Sequence, residues 1–230
     1  MTRDQVFTMI RWLYDHLTHV TILNEDQVPK EGPFILTLNH LSRLDFPALI
    51  MTERYNDLYC VAADKYKNFP VFGKVITDAD MIWIDRTKAD FKAMKRMMTV
   101  LKEGKAIALA PEGTRSKTKS LLQGKEGVTL VASKAHVPLV SLGVEGSEKW
   151  MDAIKHFHKP HLILRFGPAY ELPPIDPDNR EESLRLATDE VMCRIAALLP
   201  ESYRGYYRDF PRVQELREEW KARGDIELPE

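Results

Sequence analysis

The chain has 230 residues, 33 Lys and Arg against 34 Asp and Glu, and 44% hydrophobic residues. That is enough apolar material for a sizeable core, and it excludes a disordered, collagenous or coiled-coil protein. The net charge of -1 hides an asymmetry: Arg86 to Lys125 holds eleven bases against three acids, while Glu171 to Glu230 holds fifteen acids against nine bases.

Residues Asp4 to Val20 read as an amphipathic helix, with Val6, Ile10, Leu13 and Leu17 at helical spacing. Such a helix suits a membrane interface or a place against the core. Phe34 to Leu38 is a short apolar run, read as a buried strand that ends at Asn39-His40. A helix start follows between Ser42 and Pro47. There Ser42 with Asp45 resembles a capping box and Pro47 fits a first turn. Leu58 to Ala63 and Met81 to Ile84 are strand candidates on either side of Phe69-Pro70-Val71-Phe72-Gly73, a short helix or loop.

Lys88 to Glu103 reads as a helix closed by Gly104, with Phe91, Met94, Met98 and Leu101 as its apolar stripe. Ala106 to Ala110 is a strand, Pro111 to Ser120 a polar loop and Gly127 to Ala135 a helix. Pro138 to Val144 and His161 to Phe166 are further strands, and Glu181 to Leu199 a long amphipathic helix stopped by Pro200. The stretch from Tyr203 to Phe210 is rich in Tyr and Arg and has no assigned role. Strands alternating with helices predict an α/β fold, a mixed central sheet flanked by helices. The expected divisions are residues 1–25 as N-terminal helix, 26–200 as one domain and 201–230 as a tail.

No run of eighteen apolar residues is present, so no spanning helix is expected. No signal peptide is visible, which points to a cytoplasmic chain. Cys60 and Cys193 are isolated and imply neither a zinc site nor a disulfide. The basic middle suits an anionic ligand or surface, or is a solvated helix face, and the acidic end argues against nucleic-acid binding.

Four polar clusters follow apolar runs. A histidine is the natural base near neutral pH, and a carboxylate on one ring nitrogen leaves the other free to take a proton. His40 and Asp45 fit that pattern, although an H-x-x-x-x-D match taken alone better suits a capping Asp beside a partly buried His. Ile84-Asp85-Arg86 stands at a strand end. Pro111-Glu112-Gly113-Thr114-Arg115-Ser116 offers glycine, hydroxyls and a planar guanidinium suited to phosphate. Val137-Pro138-Leu139-Val140 opens a strand.

Taken in order, these clusters resemble the four motifs of the glycerolipid acyltransferase family, which includes lysophosphatidic acid and glycerol-3-phosphate acyltransferases. The resemblance runs from about Phe34 to Val144. It implies that His40 is the general base and Asp45 its orienter. It further implies that Arg86 and Arg115 contact the acceptor phosphate and that Glu112, Gly113 and Thr114 shape the acceptor site. Pro138 would help to build the donor side. Family members often carry a Lys before the P-x-F-G segment. Here Asp64 intrudes, and Lys65 takes that role or lies out of register. Ser141 stands where many members have a further Pro.

The implied reaction moves a fatty acyl group from acyl-CoA or acyl carrier protein to the free hydroxyl of 1-acyl-glycerol-3-phosphate. It needs no metal or cofactor and no acyl-enzyme, in keeping with the lack of a G-x-S-x-G elbow. The amphiphilic substrate implies peripheral contact with the inner face of a membrane. Rival expectations are another lysolipid or glycolipid acceptor, a non-catalytic lipid-binding or membrane-remodelling protein, and a hydrolase.

Overall fold

The apolar runs too short for helices become the strands of one sheet. The structure, a computed structural model, describes residues 1–230. Its strands are β1 (His19–Leu23), β2 (Ile35–Leu38), β3 (Leu58–Ala63), β4 (Ile82–Ile84), β5 (Ala106–Leu109), β6 (Leu139–Glu145) and β7 (His161–Phe166). They lie in the order β1-β7-β6-β2-β5-β3-β4. Every neighbouring pair is parallel except β6 with β7. The ends of β2, β3, β4, β5 and β6 therefore share one end of the sheet, where such folds place ligands.

The helices are α1 (Arg3–Leu17), α2 (Asp45–Ala48), α3 (Pro70–Asp78), α4 (Phe91–Lys102), α5 (Gly127–Ala135), α6 (Trp150–Lys155), α7 (Arg180–Ala197) and α8 (Pro211–Arg223). Successive strand residues point to opposite faces, and both faces are covered. Ile35, Ile107 and Leu139 pack with α4, α5, α7 and α8. Leu36, Ala108 and Val140 pack with Tyr14 of α1 and Ala48 of α2. Burial on both faces explains why β2 is buried at every position instead of at alternate ones.

Several expectations change. The N-terminal helix stops at Leu17, and Val20 belongs to β1, which pairs with β7 from His19↔His161 to Leu23↔Arg165. Residues 19–23 are thus part of the sheet and not of a separate N-terminal unit. Ser42 and Asp45 form no capping box, because α2 is a single turn whose cap, Leu44, makes no side-chain bond. The buried stripe of α4 is Ala93, Met97, Val100 and Leu101, while Phe91 is exposed as the first residue of a helix that begins three residues later than expected, capped by Asp90. The stretch from 201 onward is no loose tail. Tyr207, Val213 and Leu216 are fully buried, and α8 packs against α7. That cover is why Ile195 to Leu199 are buried on every side and the amphipathic pattern fades there.

Candidate active site

The site begins where β2 ends. The amide of Asn39 donates to the Val144 carbonyl and its carbonyl accepts from the Val144 N–H, both at 2.7 Å. This clasp ties the ends of β2 and β6 together. The chain then turns, and Asp45 folds back into the turn. Its Oδ2 accepts from His40 Nδ1 at 2.8 Å, from the Leu41 N–H at 2.7 Å and from the Ser42 N–H at 2.8 Å. Its Oδ1 accepts from the hydroxyls of Ser42 and Ser147. A carboxylate with no exposure needs such a shell of donors to remain charged. The bond to Nδ1 orients the imidazole and leaves Nε2 free, with 15% of the side chain exposed. Phe46 meets the ring edge-on at 5.3 Å.

The Pro111–Ser116 loop is bonded to the same turn. Glu112 Oε1 accepts from the His40 N–H at 2.8 Å and Oε2 from the Leu122 N–H at 2.9 Å. The Ser116 N–H donates to the His40 carbonyl at 2.8 Å. Burial pushes the Glu112 carboxyl up to about 7, against the pull of its two amide donors. Glu112 therefore braces the backbone beneath His40 and does not line the cavity, so any shaping of the acceptor site by it acts through that backbone. Gly113 likewise turns its side away. Its φ is +66, its carbonyl accepts from Arg86 Nη1 at 3.0 Å, and an added Cβ would lie 3.1 Å from Lys125 Cδ.

A cavity of about 270 Å³ opens beside His40. Its mouth carries Arg43, Lys65, Arg86, Thr114, Arg115 and Lys117. Its interior is apolar and is lined by Phe7 and Ile10 of α1, Val75 and Ile76 of α3, and Leu58 and Cys60 of β3. The cavity follows β3 from Ala63 back to Leu58, roughly 17 Å at the usual strand rise. Arg86, Thr114, Arg115 and Lys65 are thus brought together with His40. Lys65 reaches the mouth with its ammonium 5.3 Å from the Tyr66 ring centroid, and Asp64 does not line the cavity.

Pro138 is not brought there. Ile35 pairs with Leu139, and the Ile35 N–H donates to the Pro138 carbonyl at 3.0 Å. In a parallel pair this sets Pro138 at the strand starts, at the far end of the sheet from His40, and its expected place on the donor side is withdrawn. Ser141 is internal to the sheet, 3.3 Å from both the Thr37 hydroxyl and the Tyr170 hydroxyl.

Two contributors escaped the motif reading. Ser147 follows Gly146, whose φ of +82 and whose missing Cβ, 2.0 Å from the His161 carbonyl oxygen, allow the sharp turn out of β6. A hydroxyl straight after a strand ending beside β2 was the available signal. Tyr14 donates from its hydroxyl to the Leu44 carbonyl at 2.6 Å. Burial and the nearby Asp45 charge hold this phenol far above its ordinary pKa, so it remains a donor. Helix α1 thereby buttresses the His40–Asp45 turn and walls the cavity. No group of three or more His, Cys, Asp or Glu side chains is placed to hold a metal ion. No helix is long and apolar enough to cross a membrane.

Comparisons with known proteins show the family and the fold. A family model described as Acyltransferase matches residues 19–145. A probable 1-acyl-sn-glycerol-3-phosphate acyltransferase of Mycoplasma pneumoniae is 29% identical over 177 residues, covering 73% of this chain and 66% of that protein. The 1-acyl-sn-glycerol-3-phosphate acyltransferase of Limnanthes douglasii is 26% identical, covering 74% of this chain and 59% of its own length. The chain thus spans less than two thirds of the length of these relatives. The crystal structure of the 1-acyl-sn-glycerophosphate acyltransferase PlsC from Thermotoga maritima aligns with a TM-score of 0.61 at 20% identity, over 96% of this chain and 80% of that one. At that identity the likeness speaks for the fold.

Proposed function

Since the chain belongs to the acyltransferase family, we propose that it transfers a fatty acyl group from a thioester donor to the free hydroxyl of 1-acyl-sn-glycerol-3-phosphate, giving phosphatidic acid. One observation carries the reading: the free Nε2 face of His40 opens on a cavity with a cationic mouth and an apolar interior. Such a cavity suits an amphiphile with an anionic head and thioester-borne acyl chains.

In this reaction His40 Nε2 takes the proton from the acceptor hydroxyl, and the oxygen attacks the thioester carbonyl. Asp45 stabilises the imidazolium that forms and holds its tautomer. Collapse of the tetrahedral intermediate breaks the carbon–sulfur bond, and the thiolate leaves with the proton from Nε2. The amides of His40, Leu41 and Ser42 are already bonded to Glu112 and Asp45. Stabilisation of the oxyanion therefore falls to the cations of the mouth, with Arg86 and Arg115 also holding the acceptor phosphate. No metal or prosthetic group enters these steps, and acyl-CoA or acyl carrier protein acts as a co-substrate. The reaction places the chain on the inner surface of a membrane, where its acceptor resides.

The test is a product-resolved assay. Lysophosphatidic acid and two neutral lysolipids are offered with acyl-CoA or acyl carrier protein, with His40→Ala as control. Phosphatidic acid should form with wild type and fall by about 10²–10⁴-fold in the variant. Equal thiol release by both proteins would remove the general base. Thiol release with no acylated lipid would make the protein a thioester hydrolase.

A further inference from the structure

We propose that the whole end of the sheet that carries His40 docks on an anionic lipid leaflet, through apolar residues supplied by four separate segments and not by α1 alone. This deepens the reading that the acceptor is a lysophospholipid and rests on it.

Each of the four segments reaches that end for a topological reason. The strands β2 to β6 are mutually parallel, so the segments after β3, β4 and β6 emerge beside His40. After β3 come Phe69 and Val71, after β4 comes Phe91, and after β6 come Ile154 and Phe157. All five are exposed, Val71 and Phe91 at 80% and Phe157 at 98%. The fourth segment is the close of α1. The His19 N–H donates to the Pro160 carbonyl, just before β7 starts beside the end of β6, and exposed Leu17 therefore lies at the same end. Phe157 adopts the left-handed conformation, φ 55, that a bulky side chain rarely takes, so the backbone holds it outward.

The distribution identifies the partner. These residues run from β1 at one margin of the sheet to β4 at the other, about 29 Å for six strand spacings, and β2 with His40 is the central strand. Between them stand the exposed cations Arg43, Lys65, Lys67, Arg115 and Lys117. Scattered large apolar side chains with interleaved Lys and Arg suit a fluid anionic surface, which takes up each apolar group separately. A single protein partner would instead meet one contiguous patch. A leaflet in this place also presents the acceptor to the cavity without drawing its chain through water.

The experiment uses the whole chain with vesicles of phosphatidylglycerol, or of phosphatidylcholine, read by co-sedimentation. The double variant Val71→Glu/Phe157→Glu touches neither the cavity nor the His40 turn. Its partitioning onto phosphatidylglycerol vesicles should fall by about a hundredfold, roughly tenfold for each apolar side chain removed. Leu186→Glu changes another exposed residue, on α7 in the layer over the sheet face, and should bind as wild type does. In parallel, acyl transfer is measured to vesicle-borne lysophosphatidic acid and to a dissolved short-chain analogue. The double variant should lose the first and keep the second. Unchanged sedimentation of the double variant overturns the proposal. So does loss of binding to an acidic acyl carrier protein with vesicle binding intact. If wild type transfers in neither format, the reaction is misassigned, and the sedimentation result still decides the docking face.

Discussion

Asp45→Asn tests the chemistry at its most constrained atom. The carboxylate accepts five hydrogen bonds, three at Oδ2 and two at Oδ1. An amide group supplies one acceptor oxygen and one NH2. If the oxygen keeps the Oδ2 position, the NH2 confronts two hydroxyls, which rotate to accept. If it takes the Oδ1 position, the NH2 confronts the Leu41 and Ser42 amides, which cannot. Desolvation of those two buried amides would then cost about 3 kcal/mol in total, or roughly 6–12 °C in Tm for a chain of this size. The first arrangement is the stable one, and it retains the imidazole orientation while losing the charge that stabilises imidazolium. With the tautomer kept and only the partner's charge lost, about 3 kcal/mol of imidazolium stabilisation goes, so kcat/KM should fall by about 10²-fold with Tm nearly unchanged. The assay is thioester cleavage over a range of lysophosphatidic acid concentrations, paired with thermal unfolding. Activity within tenfold of wild type would refute the claim that Asp45 works by its charge. A Tm loss of 6 °C or more would refute the predicted amide orientation.

Two further outcomes concern neighbouring residues. Ser147→Ala removes one hydroxyl donor to Asp45 and should lower kcat by about tenfold, leave the acceptor KM in place and cost about 1 kcal/mol of stability. A change in KM alone would contradict it. Glu112 is held near 7 by burial, above its ordinary 4.5. The folded state then binds the extra proton, so Glu112's contribution to stability is full below about 4.5 and declines as pH rises to about 7, by up to about 3 kcal/mol. The stability of wild type relative to Glu112→Gln, read by denaturant titration, should shrink across that window. A pH-independent difference would mean that Glu112 has an ordinary carboxyl.

The sequence made the strands legible because buried runs such as Ile35–Leu38 have no other use, and it made His40 and Asp45 legible because they lie five residues apart. It was less informative wherever the deciding contact is distant in the chain. Ser147 lies 102 residues from Asp45, and only the pairing of β6 with β2 brings its hydroxyl to that carboxylate. The motif order suggested that Pro138 belongs to the site, yet strand register, not order, decides which end of a strand a residue occupies. Glu112 stands among residues that do face the cavity, and only its two amide donors reveal that it points inward. The acidic composition after residue 201 suggested a tail, because the surface that buries Tyr207 and Leu216 is supplied by other elements.

The pairing of β1 with β7 also governs when the molecule can assemble. His19 pairs with His161, and Asp45 waits for Ser147, 102 positions further along the chain. As the chain leaves the ribosome in order, its first strand has no neighbour until most of the remainder has emerged. Closure of such long loops is slow and makes folding a late, concerted event. His40 therefore acquires its full set of supports only after β6 and Ser147 have followed it, more than a hundred residues later in the chain.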